Sequence, residues 1–164
     1  MKHILFFLIS ILIMNSVVAS DQKVLSLSPA DFAVQTKQRA VVEKYLSKDD
    51  LHGKYLTAAG KLGTLRALLQ AKVFSAKQTY ELQSMGVVLG DVLVQDMGFK
   101  WVIVEDPLGR DPALQYKDSK VLVFPLTMIS KRVERGEEVD VFELYNGIAA
   151  EATRQLQNAG YAKP

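Results

Sequence analysis

The sequence has no cysteine, one tryptophan and two histidines, the first of which, His3, lies at the extreme N-terminus. Without cysteine there is no disulfide framework, no zinc-thiolate site, no thiol nucleophile and no lipid-bearing cysteine. Downstream of the N-terminus, a Ser-His-acid triad would rest on His52 alone. That residue sits beside the loop glycine Gly53 and reads as a solvated residue where a helix begins. HExxH, spaced DxD and calcium-loop patterns are missing, and so is the G-x-x-x-x-G-K-[ST] phosphate cradle. GKLG (60–63) and VLGD (88–91) are glycines inside helical patterns. No cofactor or metal is expected.

A strong excess of one charge is also lacking. The chain carries 20 Lys and Arg against 18 Asp and Glu. It opens MKHILFFLISILIMNSVVAS: a basic Lys2, an apolar run from Ile4 to Met14, then small residues at Val17 and Ala19. This is the layout of a cleaved secretory signal peptide over residues 1–19, cut after Ala19, because the run is shorter than the ~20 residues that span a bilayer. The remaining 145 residues lose Lys2 and hold 19 cations against 18 acids. Near-neutrality gives no footprint for nucleic acid, and membrane contact is expected only through the leader. Export places the protein in the periplasm, with the cell exterior as the second choice. A chain of this length suits one domain whose core needs no cross-links.

Residues 20–27 read as a polar lead and 161–164 as a tail, leaving a single α+β domain over 28–160. Ser28, Pro29 and Asp31 supply a cap, a first-turn proline and a first-turn acid for a helix from Pro29 to Ser47, its apolar stripe being Phe32, Ala33, Val41, Val42, Tyr45 and Leu46. Three- and four-residue apolar steps predict a second helix over 54–72. A capping box from Ser75 to Gln78 opens a third, which ends at Met97 before a left-handed Gly98. That third helix is nearly all apolar from Met85 to Val94, and Gly86 and Gly90 should let helix two approach. KWVIVE (100–105) is a covered strand; a type I turn at 106–109, a strand at 113–116, a polar turn KDSK and a strand at 121–124 complete a three-stranded antiparallel sheet. Pro125 ends it. Helices over 126–135 and from Asp140 to Gly160 follow, the last opened by a D-V-F-E capping box. About five helices and three strands thus run helix, helix, helix, strand, strand, strand, helix, helix.

The candidate site residues are charges placed among these elements. Asp91 is the one charge within the apolar centre of helix three. Arg132, on the border of its helix's apolar stripe, is the expected partner, since an unpaired buried carboxylate is costly. Lys131 and Arg135 point to water. Glu105, Asp106 and Asp111 flank a turn with Arg110, a set that could supply paired carboxylates and an anion clamp. Lys131, Arg132 and Arg135 are diluted by Glu134, Glu137 and Glu138, too mixed for phosphate binding. Trp101 reads as core before stacking platform.

The segments LQSMGVVLGDVLV, WVIVEDPLGRDPAL and VFPLTMISKRVERGEEVDV resemble the bacterial family known as domain of unknown function 3806, over about residues 75–145. The resemblance implies a small α+β domain and carries over no catalytic residue. By elimination the expected function is a non-catalytic binding domain for a protein partner or an envelope ligand, with Asp91, Glu105, Asp106, Arg110, Arg132 and Arg135 as its candidate binding residues. The alternative is a carboxylate-dependent hydrolase built on the Glu105–Asp111 turn.

Overall fold

A computed structural model describes residues 22–162. The expected leader, 1–19, and the end of the expected tail, 163–164, lie outside the described residues. The described residues form an α+β fold of six α-helices and one four-stranded antiparallel sheet in the order β1-β2-β3-β4. The strands are β1 Lys23–Ser26, β2 Phe99–Asp106, β3 Gly109–Tyr116 and β4 Leu122–Val123.

β1 corrects the reading of 20–27 as a lead. Lys23 pairs with Glu105 and Ser26 with Val102, so the segment closes the edge of the sheet. All four of its residues are exposed, which is why no alternating pattern announces it. β3 is twice the expected length and matches β2 residue for residue from Asp106↔Gly109 to Phe99↔Tyr116. Asp106 stabilises the hairpin turn, its Oδ1 accepting from the Leu108 and Gly109 amides.

The helices are α1 Pro29–Glu43, α2 Lys48–Leu51, α3 Ala58–Gln70, α4 Thr79–Met97, α5 Leu126–Glu134 and α6 Val141–Asn158. Ser28 and Asp31 form a reciprocal capping box at α1. The expected second helix is interrupted: a 3-10 turn, Lys54–Leu56, precedes Thr57, whose side chain caps α3. Gln78 does bond back to the Ser75 amide, yet the turn they form precedes α4, which starts at Thr79. Gly98, Gly136 and Asp140 end or begin their helices as expected, both glycines in the left-handed region.

α4 is the centre of the molecule, with Leu82, Met85, Val88, Leu89, Val92 and Leu93 fully within the main core. Gly86 and Gly90 admit neighbours other than helix two. A Cβ at Gly86 would collide with the backbone of Pro125 and Leu126 where α5 begins, and one at Gly90 with the Trp101 ring and Pro125. The glycine seam therefore docks the sheet and its exit onto α4.

Candidate functional site

α1 keeps only part of the expected apolar stripe, with Val42 buried and Val41 and, just past its end, Leu46 against the core. It buries Gln35, Gln38 and Val42, at three- and four-residue steps, while Phe32 and Val34 are 62% and 53% exposed. The inward face is thus polar, and it brings Arg39 against α4. The Arg39 guanidinium grips Asp91 with two parallel bonds, Nε–Oδ2 at 2.6 Å and Nη2–Oδ1 at 2.7 Å. The Trp101 indole Nε1–H donates to the same Oδ1 at 2.9 Å. Side-chain exposure of 22% for Arg39 and 16% for Asp91 marks the pair as largely withdrawn from water. Forked, charge-assisted geometry is among the stronger arrangements two side chains can make. The bond to Asp91 holds Arg39 more firmly protonated than an ordinary arginine, outweighing the opposing effect of burial.

The expected Asp91–Arg132 pair does not form. Asp91 lies one residue, or 100° of helix, beyond Gly90, so it leaves the seam that faces α5 and turns to α1. Arg132 is half-buried on α5 and donates from Nη1 to the Met128 carbonyl at 2.6 Å.

Arg39 and Asp91 open onto a cleft of about 560 Å³ bounded by α1, α2, the 3-10 turn, α3 and α4. Glu43, His52, Tyr55, Lys61 and Gln95 line it, with Leu51, Leu56 and Val94 as apolar wall. Tyr55 is only 6% exposed. Burial pushes its hydroxyl pKa well above the usual tyrosine value, helped by the negative charges of Glu43 and Asp91, so the group keeps its proton and can donate a hydrogen bond at neutral pH. Lys61 is half-buried; its Nζ donates to Gln95 Oε1 at 3.0 Å and lies 5.3 Å from the Tyr55 ring centroid. Burial pushes the Lys61 amine below the ordinary lysine value. Gln95 is fixed in turn by donating to the Leu56 carbonyl at 2.8 Å. His52 is exposed at the rim, and its Nδ1–H donates to the Lys48 carbonyl at 2.8 Å.

The cleft therefore offers fixed donors, a fixed ion pair and an apolar wall. Such a set can orient and hold a small polar molecule.

The other candidate residues lie apart from this cleft. Arg110 forks onto Asp31 of the α1 cap, Nη1–Oδ1 at 2.6 Å and Nη2–Oδ2 at 2.8 Å, with Glu105 4.0 Å from its Nε. Arg110 and the Ser28 cap together hold the Asp31 carboxyl well below the usual carboxylate range. Asp106 is engaged by the turn amides and Asp111 is exposed on β3. Arg135 pairs with Glu137 at 2.5 Å on the exposed end of α5. Asp91 alone of the candidates reaches the cleft.

Arg39, Glu43, Tyr55 and Lys61 are absent from the candidate set drawn from sequence. The polar line Gln35, Gln38, Arg39 at helical spacing is the signal that could have raised Arg39; Tyr55 and Lys61 carry no such signal in their own elements.

The fold is similar to a crystal structure of a protein from Bacteroides thetaiotaomicron VPI-5482, solved at 1.50 Å resolution. The TM-score is 0.60 at 14% sequence identity, over 79% of this chain and 47% of that one. This chain thus spans about half the length of that structure, and the likeness concerns fold alone. No curated protein matches it in sequence. The model of the family described as Domain of unknown function (DUF3806) matches residues 61–145, over half the chain, from within α3 through α4, the β2–β3 hairpin, β4 and α5 to the start of α6, and this chain belongs to that family.

Proposed function

We propose that this protein is an exported, non-catalytic binding domain of the bacterial envelope whose ligand site is the cleft between α1, α3 and α4. The observation that carries the reading is the cleft itself. Its size falls in the range of small-molecule sites, and Arg39, Asp91, Lys61 and Gln95 are held in place before any ligand arrives. Tyr55 speaks for binding over proton transfer, because its hydroxyl is driven away from neutral pH and is kept as a donor. Export rests on the N-terminal pattern of residues 1–19.

A thermal-shift screen of the purified protein against sugars, amino acids, short peptides, nucleotides and simple anions tests the site. A ligand at 100 times its Kd stabilises the fold by about 2.7 kcal/mol, and that shift should vanish in Lys61→Met while the unliganded melting temperature holds. A ligand that stabilises Lys61→Met and Tyr55→Phe as well as the native protein would move the site elsewhere. Silence across the whole panel would turn the reading toward a protein partner. Export is checked by the N-terminal residue of protein recovered from fractionated cells, with Ser20 expected.

A further inference from the structure

The chemical class of the ligand can be narrowed, on the footing that the cleft is the binding site. Its charges divide into two sets. Arg39 and Asp91 satisfy each other, and Asp91 also accepts from Trp101. Glu43 and Lys61 are left. Among the described residues neither has an oppositely charged partner within 4.0 Å, although both are half-buried and line the same cleft. Lys61 is met by neutral acceptors only, Gln95 Oε1 at 3.0 Å and the Leu56 carbonyl at 3.4 Å.

A half-buried ammonium that bonds neutral oxygens retains most of its capacity to pair with an anion, and a half-buried carboxylate does so with a cation. With one of each, the cleft has no net charge to offer a ligand of single sign. A molecule bearing both signs meets a partner at each end. Leu51, Leu56 and Val94 supply the apolar surface for whatever lies between. We infer that the cleft takes a small zwitterion with an ammonium and a carboxylate joined by a short apolar stretch, of the class of free amino acids and dipeptides, with its carboxylate at Lys61 and its ammonium at Glu43. The protonated Tyr55 hydroxyl stands as an additional donor for the carboxylate.

The test uses calorimetric titration of the purified protein with three probes: alanyl-alanine, its N-acetyl derivative, which lacks the ammonium, and its C-terminal amide, which lacks the carboxylate. Alanyl-alanine should bind, and each blocked form should bind at least ten-fold more weakly. Lys61→Met should weaken alanyl-alanine to the level of the amide and make amidation inconsequential. Glu43→Gln should do the same for acetylation. Far-ultraviolet circular dichroism confirms that each variant is folded, and Lys61→Gln stands in if the methionine variant is not. Equal binding of free and N-acetyl dipeptide would overturn the zwitterion class and make the cleft an anion site, leaving the binding reading intact. Failure of all three probes, alongside a ligand of single charge found by the wider screen, would likewise reject the zwitterion alone.

Discussion

Two adjacent residues of α4, Gly90 and Asp91, dock it by opposite means. Gly90, with Gly86 one turn earlier, belongs to a seam that has no side chain at all, where α5 and Trp101 come so near that a methyl group has no room. Asp91 belongs to a crossing with α1 that depends on a forked ion pair and an indole bond. The first contact is specified by shape and excludes every other residue. The second is specified by charge, which leaves open which cation completes it, and it lets polar groups stand at the edge of the core where a ligand could meet them.

The largest expected effect sharpens this contrast. Gly86→Ala forces the Pro125–Leu126 backbone to move, and should cost about 3 kcal/mol, the upper end for overpacking, in urea unfolding. A loss below about 1 kcal/mol would show that the seam yields and is not limited by shape. Arg39→Ala comes next: it strands Asp91, and after allowance for partial solvent access the cost should be about 2 kcal/mol. Pairing Arg39→Met with Asp91→Leu should recover most of that, leaving about 1 kcal/mol for the unbonded Trp101 indole. If the double variant is as unstable as Arg39→Ala, the crossing is not electrostatic in kind.

The Asp31–Arg110 pair differs from Arg39–Asp91 in the exposure of its arginine, and it responds to acid. Since Asp31's folded pKa lies below its ordinary value of 3.8, its contribution is present above that pH and fades as pH falls through the range beneath it. Melting temperature measured from pH 6 down to pH 2 should fall less in Asp31→Asn than in the native protein. An identical slope would remove Asp31 from the acid response. Arg132→Ala should be the mildest change, within about 0.5 kcal/mol, because Arg132 bonds only its own helix.

The elements whose signals are local were legible in the sequence. Gly98 and Gly136 stop helices because only a left-handed backbone fits there, and Asp140 caps because its carboxylate reaches the Phe142 and Glu143 amides. The α+β class and the family were legible for the same reason, since the apolar centre of α4 and the β2–β3 hairpin lie in continuous stretches of chain. Partner choice was not. Asp91 looked to Arg132 because both were among apolar neighbours, while Arg39 lay in a helix two of whose apolar residues, Phe32 and Val34, in fact face water. The rotation of α1 is set by α4 across 52 residues of sequence, and the polar spacing within α1 does not name the helix that meets it. Four-residue β1 carries no pattern of its own and exists because β2 offers it an edge.

That edge has a bearing on when the molecule can become whole. Lys23 bonds its strand to Glu105, 82 positions onward, whereas β2 meets β3 across a two-residue loop. Closing so long a span carries a larger entropic toll than closing a hairpin, which favours the hairpin as the earlier contact. Among the described residues the strand that is made first has its partner made 76 to 82 positions later, and until residues 102–105 have followed, β1 has no partner in the sheet.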